Sequence, residues 1–197
     1  MSTIEYYNNN AEKYFESTLN ADVSALYEHF VSKIKQSASI LDLGCGSGRD
    51  SKYFLDAGYQ VTAVDGSGEL CRIASELIHQ PVRQLLFEDL DYHEEFDAVW
   101  ACASLLHVPK AEIQDIMQKV CKALKPDGIL YFSVKYGNTE RTVGERSFSD
   151  YTEADIPWLL KDTGLEIVEH WISLDVRQGR DSEKWLNLIA HKQFAIN

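Results

Sequence analysis

Five residues, Gly44-Cys45-Gly46-Ser47-Gly48, constrain the fold of this chain more than any other stretch. They follow the apolar run Ser39-Ile40-Leu41-Asp42-Leu43 and lead into a segment of helical character from Asp50 to Ala57. Glycines between a strand and a helix permit a tight turn and let a ligand approach the backbone closely. They do so at the carboxyl end of the strands, where open α/β sheets bind ligands. The run is not a P-loop, because no Gly-Lys-Ser/Thr follows. It also departs from G-x-G-x-x-G: the third glycine comes one residue early, and Arg49 stands where the last glycine belongs.

Beyond the loop, short β-branched runs alternate with helical stretches. Residues 60–65 read as a second strand, 68–78 as a helix, 82–87 as a third strand and 96–102 as a fourth. A helix over 110–124 ends at Lys125-Pro126-Asp127-Gly128, a cation, a proline and a turn glycine, and residues 128–135 form a fifth strand. After a helix over 153–163, Leu165–Leu174 and Glu183–His191 read as two strands joined by the polar turn Arg177-Gln178-Gly179-Arg180-Asp181. So direct a connection requires antiparallel pairing. The expected fold is α/β: a doubly wound, Rossmann-like, mostly parallel seven-stranded sheet with one antiparallel strand near the C-terminus. No repeat or linker divides the chain, so residues 1–197 are read as one domain. Within it, residues 1–37 are helical and cover the site or a sheet edge, 38–135 form the ligand-binding half, and 136–197 carry loops and the antiparallel hairpin.

Charge and composition remove whole classes of function. Asp and Glu outnumber Lys and Arg 31 to 19, for a formal net charge of -12. Nucleic acid and anionic membranes are held mainly by Lys and Arg, so neither is an expected partner. The first residues have neither a basic nor an apolar signal-peptide region, and no apolar run approaches the length of a membrane span. Cys45, Cys71, Cys102 and Cys121 are scattered without a C-x-x-C pair. Reduced thiols in a cytoplasm are expected rather than disulfides or a zinc site, and no metal is.

Two acidic positions give the glycine loop its meaning. Asp65 closes the second strand about 20 residues after the glycines, where a carboxylate accepts both ribose hydroxyls of an adenosine; a helix N-cap is the alternative. Glu88-Asp89-Leu90 ends the third strand, where a carboxylate can accept from an adenine amino group; the alternative is a surface turn. With the loop Ile40–Gly48, Ala63-Val64-Asp65, Phe87-Glu88-Asp89-Leu90, Phe96-Asp97-Ala98-Val99 and the turn Leu124–Leu130, the sequence resembles the class I S-adenosylmethionine-dependent methyltransferases over about residues 38–135. The junction Arg49-Asp50-Ser51 adds a weaker likeness to tellurite-resistance-type methyltransferases.

That resemblance implies S-adenosyl-L-methionine as cofactor and S-adenosyl-L-homocysteine as product. It places Gly44, Cys45 and Gly46 along the methionine part and Asp42 near its ammonium. It gives Asp65 and Gly66 to the ribose, Asp89 and Leu90 to the adenine, and Cys102 to the cofactor's edge.

Methyl transfer from a sulfonium needs an aligned nucleophile and a dry site more than a catalytic constellation. His107, just past the fourth strand, is the titratable group best placed to act as base; a hydrogen-bonded loop histidine is the alternative. Lys135, Arg141, Arg146, Arg177 and Arg180 gather past the fifth strand. Arg146 and Arg177 suit an anionic small-molecule acceptor, while interleaved acids such as Glu145 and Asp181 explain the same pattern as solvated ion pairs. Tyr14, with Tyr6, Tyr7 and Asn8–Asn10, forms either a lid over cofactor and acceptor or an amphipathic helix packed on the sheet. Two further readings remain beside methyl transfer: a catalytically silent S-adenosylmethionine sensor or partner subunit, and an NAD-dependent oxidoreductase. The acceptor and the oligomeric state leave no trace in the sequence.

Overall fold

The computed structural model describes residues 2–177, 179–180 and 182–193. The strands are β1 (Ser39–Leu43), β2 (Gln60–Asp65), β3 (Arg83–Gln84), β4 (Phe96–Ala101), β5 (Leu124–Lys135), β6 (Glu140–Val143), β7 (Arg146–Ser149), β8 (Leu165–Leu174) and β9 (Lys184–Lys192). Seven of them form one sheet in the order β3-β2-β1-β4-β5-β9-β8, and β6 pairs with β7 in a separate hairpin. Pairing is parallel from β3 to β5, whereas β9 runs antiparallel to both of its neighbours. The sheet is therefore mostly parallel with a single antiparallel strand.

The two-residue period of the strands divides their side chains between two helical layers. Leu41 and Leu43 of β1, Val99 of β4, and Leu130 and Phe132 of β5 pack with Ile113, Met117 and Val120. Those three belong to helix α6 (Ile113–Ala123). The alternate positions Ile40, Ala98, Trp100 and Tyr131 pack with Tyr27, Phe30 and Phe54 on the opposite face. These lie on α3 (Ser24–Val31) and α4 (Arg49–Asp56), and α5 (Gly68–Ile78) extends the layer by setting Ala74 and Ile78 against Ala63. Trp100 and Tyr131 stack with centroids 4.0 Å apart and are fully buried. Each such side chain contributes roughly 1.5–3 kcal/mol of burial. Ahead of the sheet, α1 (Thr3–Asn9) and α2 (Ala11–Thr18) lie across the carboxyl ends of the strands. Among the described residues, no helix is long and apolar enough to cross a membrane.

From β1 the sheet grows in two directions, through β2 on one side and β4 on the other. A crevice opens where the order reverses, between the glycine loop and Ala103-Ser104 after β4.

Several elements differ from the expected ones. The third strand shrinks from 82–87 to Arg83–Gln84, because Phe87–Asp89 coil into a 3-10 turn. The helix over 153–163 contracts to a 3-10 turn and α7 (Ile156–Leu159), with residues 160–164 in turns and Asp162 and Gly164 at positive φ. Residues 140–149, read as loop, carry the β6–β7 hairpin. Of the turn before β9, Gln178 and Asp181 lie outside the described residues.

Candidate active site

The glycine loop ties three strand ends together. Gly44 and Cys45 both donate their N–H to the Val64 carbonyl, at 2.9 and 3.0 Å, and the Ser104 hydroxyl donates to the Leu43 carbonyl at 2.6 Å. Gly44 sits at φ +80°, and a Cβ there would lie 2.4 Å from the Ser104 Cβ. Only glycine fits both the backbone and the space. At Gly46 (φ +55°) an added Cβ would meet the Tyr14 ring at 3.0 Å, so this glycine lets α2 press onto the loop.

The crevice holds two chambers that share Tyr7, Tyr14, Gly44, Ala103 and His107 as walls. The smaller, about 250 Å³, is lined by Asp65 and Gly66, the apolar Ile4, Leu70 and Leu86, and Glu88. The larger, about 540 Å³, is bordered by Cys45, Arg49, Asp50, Cys102, Arg146 and Arg177, among others.

Asp65 bridges loop and chamber. One oxygen accepts the Gly46 N–H at 2.9 Å and the other the Ser67 N–H at 2.8 Å. Burial raises its pKa, and the backbone donors of Ser67, Gly46 and Gly66 oppose the rise. The N-cap of α5 is Ser67, whose hydroxyl accepts the Leu70 N–H. Capping therefore does not occupy Asp65, and the carboxylate faces the smaller chamber with lone pairs to spare. A nucleoside fits this environment: acceptors for its hydroxyls on one side, apolar walls for its base on the other.

Of the residues expected along the cofactor, Gly44, Cys45, Gly46, Asp65, Gly66 and Cys102 line one chamber or both. Three do not. Asp89 is exposed and Leu90 lies in the core, because the 3-10 turn presents Leu86, Phe87 and Glu88 to the chamber instead. Asp42 points to the face of the sheet beneath α4, where it accepts the Ser51 hydroxyl at 2.5 Å and borders neither chamber. Burial and the nearby Asp50 charge push its carboxyl well above the usual range. Burial also works against Asp50, but the charge of Arg49 and hydrogen bonds from Arg49, Tyr27 and Trp100 hold that carboxyl low. The loop-side charges at the larger chamber are thus Arg49 and Asp50.

His107 is engaged on both ring nitrogens. Nδ1 lies 2.7 Å from the Ser147 carbonyl, an acceptor only, so Nδ1 carries the proton; Nε2 then accepts from the Tyr7 hydroxyl at 2.9 Å. Burial lowers its pKa to about 4; the Ser147 carbonyl opposes this and the Arg146 charge adds to it. Through His107, α1 is joined to β7, a link reinforced where the Ser147 N–H donates to the Thr3 hydroxyl. Farther along α1, the Asn8 side-chain oxygen accepts the Ser67 hydroxyl at 2.7 Å.

Sequence reasoning missed Ser104, the Tyr7 and Ser147 partners of His107, and the Asn8 contact, since each pair is joined only by the fold. The hairpin had a signal. Gly144, at φ +63°, opens a two-residue loop between Val143 and Arg146, and a glycine there marks a tight hairpin.

Residues 41–132 match the methyltransferase domain family. The ubiquinone biosynthesis O-methyltransferase of Actinobacillus pleuropneumoniae serotype 5b is 36% identical over 106 residues, 48% of this chain and 44% of that protein. The malonyl-[acyl-carrier protein] O-methyltransferase of Salmonella typhimurium is 29% identical over 103 residues, 50% of this chain and 39% of that protein. The chain thus spans less than half the length of these curated relatives. In structure it is similar to the Burkholderia thailandensis 1,6-didemethyltoxoflavin-N1-methyltransferase, solved with its substrate and S-adenosylhomocysteine. The TM-score is 0.75 at 23% identity, covering 97% of this chain and 85% of that one. The match to the methyltransferase domain, residues 41–132, lies over β1 to β5 of the seven-stranded sheet, and over that part the chain is similar to S-adenosylmethionine-dependent methyltransferases.

Proposed function

We propose that the protein transfers a methyl group from S-adenosyl-L-methionine to a small-molecule acceptor held in the larger chamber. The observation that carries this reading is the pairing of the two chambers across one wall. A nucleoside-sized space with the Asp65 carboxylate adjoins a larger space lined by Arg49, Asp50 and Arg146.

In this reading Asp65 binds the ribose and Leu70 and Leu86 flank the base. Arg49 and Asp50, beside the glycine loop, receive the charged amino-acid end. The cofactor supplies an electrophilic methyl on a sulfonium, so the chain must align the acceptor and exclude water. Tyr7, Tyr14 and His107 do this as the shared wall, with α1 and α2 closing over the carboxyl ends of the strands. His107 acts as the pin between lid and hairpin, not as a base, because Nε2 is already occupied by Tyr7 and the ring is neutral above about pH 4. Along the larger chamber Asp175 and Glu183 hold Lys135 and Arg177, so it is Arg146 that favours an anionic acceptor.

Calorimetry with S-adenosylhomocysteine and, separately, with NAD tests the cofactor. Binding of the first alone is expected, and binding of NAD alone would overturn the reading. Asp65→Asn is expected to weaken S-adenosylhomocysteine about tenfold, the cost of one charge-assisted hydrogen bond. An unchanged affinity would remove Asp65 from the site.

A further inference from the structure

Five arginines line the larger chamber: Arg49, Arg141, Arg146, Arg177 and Arg180. Four of them already hold carboxylates. Arg49 is bonded to Asp50, Arg141 to Asp150, Arg177 to Asp175 through two nitrogens, and Arg180 to Glu183 at 3.6 Å. Lys135 on the same wall is shared between Asp175 and Glu183. Arg146 differs: among the described residues it forms no ion pair, and its Nε is buried without a hydrogen-bond partner.

The surroundings of Arg146 define what it can take. Its guanidinium carbon lies 4.6 Å from the centroid of the Tyr6 ring and 5.2 Å from that of Phe148. A ring centroid is no substitute for an oxygen acceptor, so these contacts hold the cation without satisfying its in-plane N–H donors. Lysine offers no such plane, and a buried donor without an acceptor costs free energy that a ligand can recover. The edge formed by Nε–H and the adjacent Nη–H presents two parallel donors, the spacing of two oxygens on one carboxylate or phosphate. The guanidinium also hydrogen-bonds the Tyr7 hydroxyl and so opposes the upward push of burial on Tyr7, while Nε stays without a partner.

We propose that Arg146 is the specificity residue of the acceptor site, taking a small organic oxyanion, a carboxylate or a phosphate monoester, side-on through Nε–H and Nη–H. This rests on the methyltransferase reading and narrows it. The acceptor class is an oxyanion, and of the two arginines that the sequence offers, Arg146 reads it while Arg177 is fixed on Asp175.

The test uses 15N-labelled protein, with and without S-adenosylhomocysteine, titrated with benzoate, phenyl phosphate and the neutral benzamide. The Arg146 Nε–Hε resonance, assigned by its disappearance in Arg146→Lys, is expected to move with benzoate or phenyl phosphate and not with benzamide. Which of the two moves it further tells carboxylate from phosphate. Arg146→Met and Arg146→Lys are expected to lose at least about tenfold in oxyanion affinity while keeping S-adenosylhomocysteine affinity within about threefold. Arg177→Met keeps oxyanion affinity within about threefold. Benzamide binding as well as benzoate, an Arg146 resonance indifferent to millimolar oxyanion, or oxyanion loss in Arg177→Met but not Arg146→Met would each overturn the proposal. The resonance is read without cofactor too, so failure of S-adenosylhomocysteine to bind is told apart from failure of the oxyanion site.

Discussion

At the scale of single residues, the loop is held by space as much as by torsion. Gly44 and Gly58 share nearly the same positive φ, +80° and +86°, but an added Cβ meets Ser104 at 2.4 Å in the first and nothing within 4 Å in the second. Gly58→Ala should therefore cost only the left-handed backbone penalty, about 1–2 kcal/mol, and Gly44→Ala a further ~1–3 kcal/mol of overpacking. Urea unfolding of both variants checks this, and equal midpoints would mean that Ser104 yields freely. The glycine at position 44 was legible in the sequence because its requirement is written in the backbone. Ser104, which makes the requirement strict, was not, because 60 residues and a sheet register separate the two. Asp42 shows the opposite limit. Its place in the motif is plain from the sequence, yet the two-residue period turns its side chain to the face beneath α4, where Ser51 meets it.

At the scale of elements, periodicity served where apolar residues recur along the span. The β1, β2, α5 and β8 spans match the sequence reading residue for residue, from the buried run of β1 to the apolar residues of β8, although most of β8 is exposed. It failed at β6 and β7, whose residues are largely exposed and whose polar sequence carries no core-facing alternation. That hairpin and α1 meet through Ser147, Thr3, Tyr7 and His107 and through Arg146 on the Tyr6 ring. If α1 and α2 form a lid, removing residues 2–20 takes away Tyr7, Tyr14 and Asn8 together. The affinity for S-adenosylhomocysteine should then fall by at least about tenfold, as several buried contacts are lost. Calorimetry on the truncated chain decides it, and wild-type affinity would reduce the helices to packing on the sheet. Tyr7→Phe gives a finer version, since it keeps the ring edge against Tyr14 and removes only the hydroxyl that His107 accepts.

For the whole molecule, two buried groups near the glycine loop make stability depend on pH with opposite signs. His107 has its folded pKa lowered to about 4 by burial. An unfolded histidine titrates near 6.5, so as pH falls from about 6.5 to 4 the unfolded chain takes up a proton that the folded chain refuses. Stability declines over that window by up to about 3 kcal/mol, at roughly 1.4 kcal/mol per pH unit. Asp42 has the reverse sign. Its folded pKa is raised by burial and by Asp50, so the folded chain keeps a proton that the unfolded chain releases above about pH 4. Its contribution is complete below that pH and drains away as pH rises toward the folded value. Between about pH 4 and 6.5 the two effects have opposite slopes and largely cancel, so the Asp42 loss emerges above about pH 6.5, where the His107 effect is complete. Thermal unfolding across the range separates them. Relative to wild type, His107→Gln should gain stability as pH falls from about 6.5 to 4 and should leave the decline above neutrality as it is. Asp42→Asn, uncharged throughout, should flatten the alkaline limb and unfold at a higher temperature than wild type near about pH 9. Should Asp42→Asn follow the wild-type curve above neutrality, Asp42 would be ionised in the folded chain. A second negative charge would then lie beside Asp50 under the loop, available to the cofactor's ammonium from beneath rather than from the chamber.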